Sequence, residues 1–196
     1  SKKIGVTTTV CKCKSCNMIF ANPMPIPNDV LDHYDLSPSE YWEESYFKID
    51  GDYFSGEINW LKKLMDVKEA MRALDIGAGI GKCMTILSKN GFDAYGLEPS
   101  GQFYDLAINR MKIDPSRISN IKLEDADYAE NYFDFITFSA VLEHLYDPSR
   151  SIIRALKWLK PGGVIHIEVP NSEWLVAKLV NLSYKLRGLD YVTNLS

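Results

Sequence analysis

From residue 57 to about residue 170, short apolar runs alternate with segments whose apolar residues recur every three or four positions. The first kind reads as buried strand, the second as amphipathic helix. Ile58, Leu61, Leu64 and Met65 open the series at helical spacing. Arg72 to Gly77 is an apolar run ending in glycine, the pattern of a strand buried on both faces. Residues 81–90 read as a helix stopped at Asn90 and Gly91. A second strand fits 93–97, a second helix 102–111, a third strand 121–123 and a fourth 133–138. Pro148 opens a helix with Ile152, Ile153, Leu156 and Leu159 on one face. Residues 160–163 form a turn, 164–169 a fifth strand, and 172–187 a helix with Trp174, Leu175, Leu179 and Leu182 as its apolar face.

Strands that alternate with helices predict an α/β fold. Its sheet is mostly parallel, with five identifiable strands, helices on both faces and right-handed crossovers. The rhythm stops after the fifth strand, and Leu189–Ser196 is too short and polar to add another strand and helix. Either the chain is a fragment or its sheet is unusually short.

Residues 1–27 look different. Cys11, Cys13 and Cys16 precede Pro23, Pro25 and Pro27, which suggests a knuckle followed by a stiff, extended connector. Residues 28–56 are acidic and aromatic, with Tyr34, Tyr41, Trp42, Tyr46, Phe47, Tyr53 and Phe54 among Asp and Glu. Asn28 or Asp29 is placed to cap a short helix there. So many aromatics must cover something, either the main domain or a ligand, and the segment is expected to act as a lid or acceptor wall. The division expected is a knuckle and connector over 1–27, a lid over 28–56 and the main domain over 57–196.

Composition narrows the class. At 196 residues, with 46% hydrophobic and 24% charged residues, the chain matches a globular domain able to hold a core without disulfides. A net charge of −4 without a long basic run argues against nucleic acid as partner. No apolar stretch approaches the ~20 residues of a membrane helix. Residues 1–5 lack the apolar core of a leader, and crowded cysteines suit a reducing compartment, so the expected location is cytoplasmic.

The candidate chemistry begins at Gly77-Ala78-Gly79-Ile80-Gly81-Lys82, which joins a strand directly to a helix. Such a loop lets a ligand approach the backbone, and the helix start offers free N–H groups. A dinucleotide fingerprint, G-x-G-x-x-G, would need glycine where Lys82 stands. The second strand ends in Glu98-Pro99, and a carboxylate at that tip can accept both hydroxyls of a ribose.

With these residues the chain resembles the class I S-adenosylmethionine-dependent methyltransferases. Leu74-Asp75-Ile76-Gly77-Ala78-Gly79-Ile80-Gly81 is similar to the first signature motif of that family. Asp125-Ala126, Phe133 to Ile136 with Val141 to His144, and Leu159 to Gly163 resemble three later segments, so the likeness covers roughly residues 57–171. It implies a Rossmann-like methyltransferase fold with S-adenosylmethionine as donor and S-adenosylhomocysteine as product. It also implies residue roles. Gly77, Ala78, Gly79 and Gly81 would pass under the methionine part, with Asp75 fixing the loop. Glu98 would hold the ribose, with Pro99 and Ser100 beside the adenine and Asp125 and Ala126 flanking it. Ser139 and Ala140 would line the methionine side near the reactive methyl.

Because the sulfonium activates its own methyl group, the protein must hold a nucleophile in line and exclude water. For a hydroxyl nucleophile a base helps, and His144 is the candidate; Glu143-His144 resembles a pair in ubiquinone-type O-methyltransferases. His166, alternating with Ile165 and Ile167, reads as structural. Cys13-x-x-Cys16 has the spacing of half a zinc site, with Cys11 as a third ligand and His33 as one option for a fourth. The segment resembles half of a knuckle that precedes some sugar methyltransferases; the earlier Cys pair of that pattern is absent, so a metal-free knuckle fits equally. Cys83 reads as a small core residue. The expected function is methyl transfer to a small-molecule acceptor, at a hydroxyl or a carbon. A binding module without turnover and a nicotinamide-dependent dehydrogenase are the alternatives.

Overall fold

The computed structural model describes residues 9–23, 44–171 and 175–188. The described residues fall into two compact units. The first holds an antiparallel hairpin, β1 (Thr9–Lys12) and β2 (Ile19–Asn22), together with helix α5 (Leu175–Leu186). Cys13 N–H donates to Met18 O at 2.8 Å and Asn17 N–H to Cys13 O at 3.0 Å, closing the turn that carries Cys13 and Cys16. In α5, Leu179 and Leu182 are exposed. Asn28, Asp29, His33, Tyr34, Tyr41, Trp42 and Trp174 lie outside the described residues.

The second unit, residues 44–169, holds the sheet. In chain order it contains α1 (Ser55–Leu64), β3 (Arg72–Ile76), α2 (Lys82–Lys89), β4 (Asp93–Leu97), α3 (Gly101–Asn109), β5 (Ile118–Ser119), β6 (Phe133–Ser139), α4 (Pro148–Trp158) and β7 (Leu159–Glu168). The strands lie in the order β5-β4-β3-β6-β7 and every pairing is parallel. The expected five-stranded parallel sheet is therefore present.

Two apolar clusters show why both faces are covered. Ala73 and Phe135 pack with Cys83, Met84 and Leu87 of α2 and Ile58 and Leu61 of α1. Leu74, Ile76, Ile136 and Phe138 pack with Ala155 and Trp158 of α4. Successive residues of β3 and β6 thus serve opposite faces, as the pleat requires. Phe47 and Phe54 are buried: Arg110 covers the Phe47 ring at 4.1 Å, and Phe54 joins the first cluster.

Three local expectations are corrected. The third strand is Ile118–Ser119, not 121–123, and Leu123–Asp125 is a 3-10 turn. Asn120 ends the pairing by donating its side-chain amide to Glu98 O at 2.8 Å and Pro99 O at 3.1 Å. On α4 the buried face is Ser151, Ala155 and Trp158, while Ile153 and Leu156 are exposed; small residues let the helix lie close to the sheet and Trp158 fills the end. The turn expected over 160–163 is an irregularity inside β7, between the Phe133–Leu159 and Phe135–Val164 pairings. It is held where Lys160 Nζ donates to both oxygens of Asp134 at 2.9 and 2.8 Å.

Candidate active site at the strand tips

The loop after β3 is shaped by the end of β4. Gly77 and Ala78 N–H groups both donate to Leu97 O, at 2.8 and 2.9 Å. Gly77 and Gly81 have φ of 72° and 82°, a left-handed backbone that favours glycine. Space demands it too, because a Cβ on Gly77 would come 2.5 Å from Val141 and one on Gly81 2.7 Å from Ile113. Above Gly79 nothing lies within 4 Å of where a Cβ would stand. The backbone there forms an open cradle beside the strand ends.

Glu98 spans that cradle from the β4 tip. Its Oε2 accepts from Gly79 N at 2.7 Å and its Oε1 from Ser100 N at 2.8 Å. It is 4% exposed, and burial raises its pKa against the opposing pull of the two N–H bonds. Ser100 goes on to cap α3, accepting from Phe103 N at 3.4 Å. One acid therefore ties the glycine loop to the start of the next helix.

Asp75, one strand away on β3, is also buried. Burial raises its carboxyl to about 7, the nearby Glu98 charge adds to this, and a hydrogen bond with the Cys83 thiol opposes it. Cys83 sits in the first turn of α2, and burial with the Asp75 charge pushes its thiol pKa up. Cys83 packs in the core as expected, and in addition its thiol meets the Asp75 carboxyl. Lys82 opens α2 with its ammonium 5.5 Å from the Tyr53 ring centroid, and desolvation lowers its pKa against the pull of Asp50.

Asp125 is exposed and Ala126 buried beyond the β5 edge. An Arg154 guanidinium N–H from α4 donates to Ala126 O and pins that turn. At the other end of the row, Ser139 closes β6 and Ala140 takes a left-handed φ of 54°. His144 is exposed on the 3-10 turn Leu142–His144. The sequence reading did not single out Glu168, paired with Ser139 at the β7 tip, while His166, read as structural, faces the buried Thr137. The alternation of His166 and Glu168 along one strand was the available signal.

The cysteine hairpin is a different environment. Cys13 Sγ lies 3.1 Å from Ser15 Oγ, and this bond, with backbone N–H contacts, brings its thiol down to about 6. Among the described residues no three His, Cys, Asp or Glu side chains converge to hold a metal, so Cys11, Cys13 and Cys16 do not form the expected three-ligand cluster. A tetrahedral zinc site needs converging ligands. Elsewhere, an open cavity of about 320 Å³ lies between Asp50, Tyr53 and Lys62 on one side and Ile86 and Asn90 on the other, at the far end of α2 from the glycine loop.

Comparison with known proteins decides the family. A model of the methyltransferase domain matches residues 56–190. The chain belongs to the S-adenosylmethionine-dependent methyltransferases of class I. It is 27% identical over 138 residues to a ubiquinone biosynthesis O-methyltransferase of Rhodopseudomonas palustris, covering 67% of this chain and 53% of that protein. A protein of the same description from Coxiella burnetii is 30% identical over 125 residues, covering 62% and 51%. The chain spans about half the length of these curated relatives. The fold matches a Haemonchus contortus phosphoethanolamine N-methyltransferase solved with S-adenosylhomocysteine, at TM-score 0.61 and 22% identity over 90% of this chain and 43% of that one. It also matches a Leishmania major S-adenosylmethionine-dependent methyltransferase at 0.55 and 20%, covering 69% and 57%. Among the described residues no helix is long and apolar enough to cross a membrane.

Proposed function

We propose that this methyltransferase domain binds S-adenosylmethionine across the strand tips and transfers its methyl group to a hydroxyl of a small-molecule acceptor, releasing S-adenosylhomocysteine. The observation that carries the donor reading is the buried Glu98 bridging Gly79 N and Ser100 N beside an open Gly79. Each carboxylate oxygen retains a second lone pair, which suits a pair of ribose hydroxyls. Gly77, Ala78, Gly79 and Gly81 bring bare backbone to the methionine part, with Asp75 and its Cys83 contact bracing the loop from below. Pro99, Ser100, Asp125 and Ala126 border the adenine. Ser139 and Ala140 border the methionine end. The acceptor reading rests on the O-methyltransferase relatives at 27–30% identity.

When bound, the donor supplies a methyl group already activated by the sulfonium. What remains for the chain is to orient the acceptor, exclude water and take a proton. His144, exposed after the β6 tip, is the proposed proton acceptor. A knuckle at 1–27, a lid at 28–56 and a cytoplasmic setting complete the proposal.

Calorimetric titration with both nucleosides tests the donor site. Micromolar binding of S-adenosylmethionine and S-adenosylhomocysteine is expected, weakened by ~1–3 kcal/mol in Glu98→Ala. No binding by the folded wild-type protein would overturn the reading. Binding without transfer to any hydroxylated metabolite would reduce it to a donor-binding module.

A further inference from the structure

Two polar pairs stack on one face of the β6–β7 ladder: Thr137 opposite His166, then Ser139 opposite Glu168. The inner pair is partly covered. Thr137 is fully buried, its hydroxyl lies 2.8 Å from His166 Nδ1, and the Phe54 ring meets His166 edge-on at 5.4 Å. The outer pair stands open at the strand tips. Ser139 Oγ donates to Glu168 Oε2 at 2.5 Å, while Ala140 N–H donates to Glu168 O at 3.0 Å. Side chain and backbone of Glu168 are thus both held, yet its carboxylate stays exposed. Among the described residues no lysine or arginine forms an ion pair with it.

Sheet order gives this acid its place. Side by side, β4, β3, β6 and β7 end in Glu98, the glycine loop, Ser139-Ala140 and Glu168. A donor with its ribose at Glu98 and its tail across the glycine loop would carry its sulfur toward Ser139 and Ala140 at the β6 tip, the place the family resemblance implies for it. The β7 tip lies one strand further, ~4.8 Å away. We propose that Glu168, aimed by Ser139, is the counter-charge of the donor sulfonium and makes the site favour S-adenosylmethionine over S-adenosylhomocysteine. This rests on the donor reading above. On transfer a lone pair of the acceptor oxygen forms the new bond to the methyl carbon, the S–CH3 bond breaks with its electron pair left on sulfur, the hydroxyl proton passes to His144, and the sulfur becomes neutral. The attraction to Glu168 then vanishes, which favours release of the product.

The test measures the dissociation constants of both nucleosides by calorimetry for wild type, Glu168→Gln, Glu168→Asp and Ser139→Ala, at low and high salt. The ratio of the S-adenosylhomocysteine constant to the S-adenosylmethionine constant is expected to fall about three- to tenfold in Glu168→Gln, as removal of a nearby charge in a half-solvated site should produce. The S-adenosylhomocysteine constant itself should move less than about twofold, since a neutral sulfur gains little from a carboxylate. Glu168→Asp should keep part of the preference and Ser139→Ala should lose part. Salt at ~0.5 M should bring the wild-type ratio toward that of Glu168→Gln. An unchanged ratio in Glu168→Gln, with both ligands bound, overturns the proposal. Failure of the folded wild type to bind either ligand overturns the donor reading, and this inference with it.

Discussion

The acids at the tips of β3 and β4 and the acid at the tip of β7 are held in opposite ways. Asp75 and Glu98 are 3% and 4% exposed, and Glu98 meets two backbone N–H groups. Glu168 is exposed and meets one hydroxyl. Buried carboxylates bonded to backbone act first on the protein, because moving them disturbs the loops they tie. An exposed carboxylate fixed by one neighbour leaves the fold nearly unchanged when it is lost and acts on whatever comes near. On the proposed reading the β3–β4 half of the row would be frame and grip, and the β6–β7 half the part left free to meet the reaction.

The most severe way to break this contrast is to attack the frame. Gly77→Ala adds a Cβ 2.5 Å from Val141 at a φ of 72°. Thermal or denaturant unfolding should show a loss of about 2–4 kcal/mol from backbone strain and overpacking together. An unchanged midpoint would mean that the loop is looser than its contacts imply.

The next test is pH. Burial raises the Asp75 carboxyl from 3.8 to about 7. Between those values the folded state holds a proton that the unfolded chain has released, so this group's contribution to stability falls as pH rises from about 4 to 7 and is flat above. Asp75→Asn should remove the decline, gaining on wild type across that window by up to about 4 kcal/mol. Parallel pH-stability curves for the two proteins would contradict a neutral Asp75.

Smaller effects belong to the ligand side. Thr137→Val should cost about 1 kcal/mol, from a buried hydroxyl lost to His166, and should leave the constant for S-adenosylhomocysteine within about twofold. A larger change in binding would move Thr137 from frame to site. His144→Ala should change stability by less than about 0.5 kcal/mol, as expected for an exposed side chain. Methyl transfer to a hydroxyl acceptor, once one is found, should fall by about 100-fold or more. Undiminished transfer would remove His144 from the chemistry.

Much of this could be read in the chain alone, for physical reasons that differ by element. Strands β3 and β6 are buried on both faces and so appear as unbroken apolar runs. The glycine loop and Glu98 are local features at strand ends, where the backbone itself dictates glycine. Helix α4 misled because its buried face is made of Ser151 and Ala155, small residues chosen for close approach, while the larger Ile153 and Leu156 point outward. Strand β5, two residues long, carries too little pattern to be placed. Of the polar ladder of Thr137, His166, Ser139 and Glu168 the sequence offered only the alternation of His166 and Glu168, because the pairing partners lie 29 residues apart.

The sequence by itself determined the alternation of strands and helices, the left-handed glycine turn and the acid at the end of the second strand. These depend on side-chain period and on φ, which act over a few residues. Only the tertiary structure decided that β6 lies between β3 and β7, that Glu98 reaches back 19 residues to Gly79, and that Ser139 meets Glu168. Strand order and register are settled by which faces can be buried together and which backbone groups can pair, and those choices couple residues that no local pattern connects.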